Sequence, residues 1–183
     1  MPLPDSGSEL CASCLKSQPP FAHAWAAFTL APPVQRMIHE LKYSANFGAA
    51  HALGVLAARK LAARPEPMPD LLIPVPLHHA RLRVRGYNQA VQLGNAMQKV
   101  LSIRCDARIA SRTHATADQI GQTAAQRRKN LKGAFTLHDR LQGAHIALLD
   151  DVMTTGATLL ELASACREAG ATKIEAWAIA RAL

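Results

Sequence analysis

Residues 144–158 read Ala-His-Ile-Ala-Leu-Leu-Asp-Asp-Val-Met-Thr-Thr-Gly-Ala-Thr. The apolar run over 144–149 has the length of a buried strand, and it ends in Asp150 and Asp151. A loop then leads into a helix predicted over 158–169, with Leu159, Leu162, Ala163 and Cys166 on one face and Gly170 as its stop. In that loop Thr154, Thr155 and Thr158 offer hydroxyls, and Gly156 lets the backbone come close to a ligand or take a positive φ. The free N–H groups that open the helix point into the same space, an arrangement suited to phosphate. Burying two adjacent carboxylates without a partner is costly. A sugar diol or a magnesium-bound polyphosphate would satisfy them. Any one of these features alone is better read as a Thr/Gly turn with an Asp cap; their succession favours a phosphate and sugar site.

The flanking sequence places this unit in a repeating scheme. Residues 71–75 read as a buried strand, 76–87 as a basic loop, and Asn88 as the cap of a helix running to about Val100. A strand is expected over 106–110, a polar loop over 111–126, a short helix around 124–131 and a last strand over 174–180. Towards the N-terminus, 24–30 reads as a strand, 33–43 as an amphipathic helix with Pro33 as its first residue, and 49–63 as an Ala-rich helix. The prolines of 64–69 then break the chain. Strands alternating with helices imply βαβ units: an α/β fold with a mostly parallel twisted sheet flanked by helices. In such sheets ligands bind beyond the carboxyl ends of the strands.

The chain has 183 residues, enough for one domain with a full core, and half of them are apolar, which excludes disorder. Its net charge of +8 is uneven: residues 71–140 carry twelve basic against three acidic side chains. That segment reads as a solvated basic surface or as a site for a polyanion, either nucleic acid or a small polyphosphate. The first residues have no basic n-region and no apolar run, so no signal peptide is expected, and the longest apolar stretch is too short to span a bilayer. The expected location is the cytoplasm, with the four cysteines reduced.

Within the basic loop, Arg81, Arg83 and Arg85 lie two apart and would share a side in an extended segment, where guanidinium groups suit phosphate. His78 and His79 read as ordinary surface residues.

Residues 150–158 closely resemble the phosphoribosyl pyrophosphate signature of type I phosphoribosyltransferases. With the run Pro-Val-Pro-Leu followed by Arg81 and by Arg-Gly-Tyr-Asn-Gln-Ala over 85–90, the chain is identified as a member of the ComF (competence-associated) family. The resemblance implies the type I phosphoribosyltransferase fold with a flexible hood loop. It also implies that Asp150 and Asp151 bind the ribose hydroxyls and serve catalysis. Thr154, Thr155, Gly156, Ala157 and Thr158 would then cradle the 5′-phosphate, and Arg81 and Arg85 would meet the pyrophosphate. A third block, Arg112, Thr116, Gln119, Arg127, Asn130 and 133–135, matches the hood, although Gln122 stands where an apolar residue is usual. Thr154 stands where hypoxanthine-type enzymes usually carry an Asp base, so the loop is closer to the orotate, amido or ComF types.

ComF proteins commonly carry an N-terminal zinc ribbon. Cys11 and Cys14 make half of such a site, and a structural zinc needs four ligands, so zinc is not expected here. Residues 1–22 are expected to be a remnant of that ribbon and 23–183 the phosphoribosyltransferase-like domain. Two functions stay open. One is a magnesium-dependent phosphoribosyltransferase with an unknown acceptor. The other is a non-catalytic ligand sensor or accessory protein in DNA uptake, with single-stranded DNA or competence proteins as partners; a homodimer fits either.

Overall fold

In the computed structural model, which describes residues 18–113 and 131–182, the apolar run over 144–149 becomes the middle strand of a parallel sheet. The elements in chain order are β1 (His23–Thr29), α1 (Val34–Tyr43), α2 (Phe47–Ala62), β2 (Leu71–Pro74), α3 (His79–Arg85) and α4 (Gln89–Leu101). They continue as β3 (Arg104–Cys105), β4 (Ala110–Arg112), β5 (Phe135–Leu137), β6 (His145–Met153), α5 (Ala157–Glu168) and β7 (Lys173–Arg181). Five strands form one sheet in the order β1-β7-β6-β2-β3, every pairing parallel, and β4 and β5 form a separate antiparallel pair. This is the expected α/β architecture.

Both faces of the sheet are covered, which is why its strands read as apolar runs and not as alternations. Along β6, Ile146 and Leu148 join Ile73, Leu159, Leu162 and Cys166 on the α5 side. Ala147 and Leu149 join Leu72, Trp177, Leu53, Leu93 and Met97 on the side of α1, α2 and α4. The contact of α2 with α4 is close because Gly54 has no side chain: a Cβ there would lie 2.7 Å from the Ala96 methyl and 2.8 Å from the Leu93 carbonyl oxygen.

The connections fix where a ligand goes. From β2 the chain crosses through α4 to β3 on one side, and from β6 it crosses through α5 to β7 on the other. β2 and β6 are neighbours, with Pro74 opposite Leu149 and the Val75 N–H donating to the Leu149 carbonyl at 2.8 Å. The carboxyl ends of these two strands therefore border the crevice where strand order reverses, the usual ligand site of open α/β sheets.

Four local expectations are corrected. The basic stretch 76–87 is not an extended loop, because His79–Arg85 is a helix. The His78 side chain caps it, accepting from the Ala80 N–H at 3.3 Å, and Gly86 closes it at φ 81°. Arg81 and Arg85 thus share a helical face while Arg83 points the other way. The strand expected over 106–110 is two shorter ones, Arg104–Cys105 and Ala110–Arg112. Buried Asp106 makes the turn between them, accepting from the Arg108 N–H and pairing with the Arg104 and Arg108 guanidiniums. The polar loop expected from 111 accordingly starts later, since Ser111 and Arg112 belong to β4. Finally, β6 runs on through Asp150 and Asp151 to Met153. The short helix expected around 124–131 lies, apart from Leu131, outside the described residues, as do Cys11 and Cys14.

At the opposite, amino end of the sheet, Glu175 is buried and bound from three directions. Arg64 donates to both its oxygens at 2.5 and 3.2 Å, the Trp177 indole N–H at 2.9 Å, and His145 Nε2 lies 2.8 Å away. Burial pushes the Glu175 carboxyl up, but these three partners outweigh it and hold it below its ordinary value. Among the described residues no helix is long and apolar enough to cross a membrane.

Candidate functional site

Where β6 emerges from the sheet, the backbone itself binds the acidic pair. The Asp151 N–H donates to Asp150 Oδ1 at 2.8 Å, and the Val152 N–H donates to Asp151 Oδ1 at 2.9 Å. Asp151 is buried at 4% exposure and Asp150 is half-buried. Burial, and next the negative charge of Asp151, raise the Asp150 carboxyl well above the usual carboxylate range. Lys42, at the end of α1, is a counter-charge that lowers it. Its ammonium lies 2.6 Å from Asp151 Oδ2 but is not aligned as a hydrogen-bond donor, so Oδ2 is buried with a charge beside it and no hydrogen bond.

After Met153 the chain turns through Thr154 and Thr155, both exposed, to Gly156, whose φ of 73° starts α5 without a side-chain cap. The Thr155 hydroxyl reaches the Ala157 N–H at 3.4 Å. Asp150, Val152 and residues 153–159 line a hollow that opens to solvent. The Asp150 carboxylate thus stands at one side of the hollow, and hydroxyls and helix-start N–H groups at the other.

The basic residues approach from β2. Helix α3 begins four residues after β2, and His78 forms an isolated bridge with Arg112 of β4. Burial and then the charges of His79 and Arg112 lower the His78 imidazole, so this histidine acts as a neutral cap beside cations. Arg112 packs over the Phe135 ring at 5.7 Å. Burial and the Arg81 charge lower its guanidinium, and the Asp150 charge opposes them. Arg112 is therefore close enough to feel both Arg81 and Asp150. Arg85 turns away from them: its Nη1 donates to Gln89 Oε1 at 2.5 Å and its guanidinium lies 5.8 Å from the Tyr43 ring centroid. Of the hood block, Thr116, Gln119, Gln122, Arg127 and Asn130 lie outside the described residues. Its described ends are Arg112 and Phe135, which pair across β4 and β5, and Gly133, whose N–H donates to Glu161 Oε1 at 2.6 Å.

Sequence reasoning missed Lys42. No motif surrounds it, and it reads as one more cation near the end of an amphipathic helix; its signal was its place directly after the core residue Leu41, which aims it at the strand ends. Tyr43 and Phe47 were missed as well. Tyr43 lies under the Arg85 guanidinium, and Phe47 meets Tyr87 edge-on at 4.9 Å, while the Tyr87 hydroxyl donates to the Leu41 carbonyl.

No protein-family model matches the chain. Relatives do: the chain is 37% identical to the DNA utilization protein YhgH of Escherichia coli O6:H1, over 99% of this chain and 82% of that protein. It is 35% identical to Competence protein F of Haemophilus influenzae, over 96% of this chain and 82% of that protein. Among solved structures, the Bacillus subtilis glutamine phosphoribosylpyrophosphate amidotransferase, complexed with ADP and GMP, superposes with a TM-score of 0.50 at 17% identity. The match covers 72% of this chain and 26% of that one, so the likeness is one of fold, the type I phosphoribosyltransferase fold. With relatives at more than a third identity along nearly its whole length and this fold beneath them, the chain belongs to the ComF family of competence and DNA-utilization proteins.

Proposed function

We propose that the protein binds phosphoribosyl pyrophosphate together with magnesium and transfers the phosphoribosyl group to an acceptor. One observation carries the reading: Asp150, its Oδ1 held by the Asp151 N–H and Asp151 adjacent to it, lines a hollow rimmed by hydroxyls and helix-start amides, at the point where strand order reverses. Asp150 and Asp151 accept hydrogen bonds from the ribose 2′ and 3′ hydroxyls. The loop from Thr154 to Thr158 donates to the 5′-phosphate. Arg81, with Arg112 beside it, faces the pyrophosphate, while Arg85, occupied by Gln89, is the weaker candidate.

The donor set fits magnesium in part. The pair supplies hard carboxylate oxygens and Asp151 Oδ2 lacks an aligned donor, but the described residues hold no group of three or more metal-ligating side chains. The remaining oxygens come from the ligand and water. Bound magnesium would neutralise charge on the pyrophosphate leaving group. In the transfer, the C1–O bond breaks with its electron pair leaving on pyrophosphate. The acceptor's lone pair forms the new bond to C1, and the acceptor's proton passes to a base in solution. Zinc has no role in this reading.

Calorimetric titration of phosphoribosyl pyrophosphate tests it. Binding is expected with magnesium, with at least about a hundredfold loss in the Asp150→Asn, Asp151→Asn double variant, as for two charge-assisted hydrogen-bond acceptors removed. No binding by folded wild-type protein would overturn it.

A second reading, an accessory role with single-stranded DNA, is favoured by one surface. Tyr43 is 70% exposed and Phe47 47%, beside Tyr87 and the Arg85 guanidinium. Exposed rings among cations suit base stacking. Tyr43→Ala is expected to weaken binding of a labelled oligonucleotide about tenfold in fluorescence anisotropy, as for loss of one stacked base, without weakening binding of the small ligand. Unchanged oligonucleotide affinity would count against it.

A further inference from the structure

The acidic pair has a cation of its own: Lys42, on Asp151. It comes from an element remote in sequence, the last turn of α1, and its position is fixed from two sides. Leu41, the residue before it, is fully buried against the sheet. The Leu41 carbonyl accepts from the Tyr87 hydroxyl, which sits in the turn between the arginine helix α3 and helix α4. The Lys42 side chain keeps 24% of its surface exposed while Asp151 keeps 6%. The ammonium thus lies between the acidic pair and solvent, across the approach to Oδ2.

We infer that Lys42 is the resident counter-ion of the Asp150–Asp151 pair, excluding free divalent cations from it, and that on loading it passes to a phosphate oxygen of the incoming ligand. The inference rests on the phosphoribosyl pyrophosphate reading for its second half only. Two positive charges cannot share one buried carboxylate oxygen without strong repulsion. A metal ion alone must therefore displace the ammonium and leave it without an anion in a half-buried position. A metal ion arriving on a polyphosphate brings oxygens that accept the displaced ammonium, so the exchange conserves charge pairing. Since the described residues offer only two carboxylates here, the metal also needs those ligand oxygens to complete its shell. Lys42 is then a ligand-binding residue that makes metal entry conditional on the polyphosphate.

The test uses manganese as the metal alone, followed by electron paramagnetic resonance of the free ion. Wild-type protein is expected to bind it weakly, Lys42→Met about tenfold more tightly, as expected for removing a unit charge at contact distance, and Lys42→Arg as weakly as wild type. Lys42→Gln keeps a donor for Oδ2 without the charge and answers the same question should Lys42→Met not fold. Equal manganese affinity in wild type and a folded neutral variant would overturn the counter-ion role. Affinity for phosphoribosyl pyrophosphate with magnesium is expected to fall about tenfold in the same variant, the size of one charge-assisted contact, and an unchanged value would overturn the transfer to the ligand. Wild-type protein that excludes manganese yet binds no phosphoribosyl pyrophosphate would retire the proposed function and leave the counter-ion role standing.

Discussion

Asp150 carries a conflict between stability and ligand binding. Its folded carboxyl is raised above the ordinary value of 3.8 by burial and by Asp151. Between the unfolded and the folded value the native state holds a proton that the unfolded chain has lost, so stability falls as pH rises through the interval. Asp150→Asn removes that dependence. The ligand-free variant is expected to melt higher than wild type at pH 7, while the gain vanishes near pH 4. Thermal unfolding of both proteins across that range measures it. A variant that melts lower than wild type at pH 7 would contradict the assignment. A residue whose removal stabilises the fold and abolishes ligand binding is kept for the ligand, not for the fold. At this scale the acidic pair was legible because adjacent carboxylates after an apolar strand have few structural uses. Lys42 was not, because a cation whose partner lies on a distant strand leaves no local pattern.

At the scale of elements, strands and long helices were readable and short capped pieces were not. β6, β7, α4 and α5 follow the predicted runs closely because apolar periodicity records burial, and these elements are buried on long faces. Helix α3 has no buried residue, so no periodicity marked it. Its cap is a histidine, outside the usual Ser, Thr, Asp and Asn set. The Asp106 turn was hidden for a similar reason: its arginine partners looked like part of a diffuse basic surface. The Glu175 cluster is an element-scale device, tying the start of β7 to the end of α2 through Arg64 and to β6 through His145. It lies at the end of the sheet away from the hollow. Glu175→Gln leaves the Arg64 charge largely buried, 14% exposed, without its anion. A loss of about 3 kcal/mol is expected, seen as a fall of roughly 9 °C in Tm, with ligand affinity of the folded protein unchanged. A fall of less than about 2 °C would show that the cluster is not a structural clasp.

For the whole molecule, the fold and the site share one cause. Parallel strands need crossovers, crossovers put helices on both faces, and the reversal of strand order between β2 and β6 leaves a crevice that their two loops must line. The order of motifs along the chain therefore foretold that the arginine segment and the acidic pair would meet, although they lie far apart in sequence. The meeting of α1 with that crevice was not legible, because no pairing rule places a helix end. Its arrival brings Lys42 to the acidic pair and Tyr43 to Arg85, giving one rim both a counter-ion and exposed aromatic surface. Family membership rests on relatives matched over nearly the whole chain, and the proposed phosphoribosyl chemistry rests on the crevice.

The most direct measurement is a crystal structure of the protein with phosphoribosyl pyrophosphate and magnesium. The 5′-phosphate is expected on the N–H groups and hydroxyls of the loop from Thr154 to Thr158, the ribose hydroxyls on Asp150 and Asp151, and Lys42 moved from Asp151 to a phosphate oxygen. A ligand bound elsewhere, or an acidic pair still closed by Lys42 with the ligand in place, would contradict this assignment.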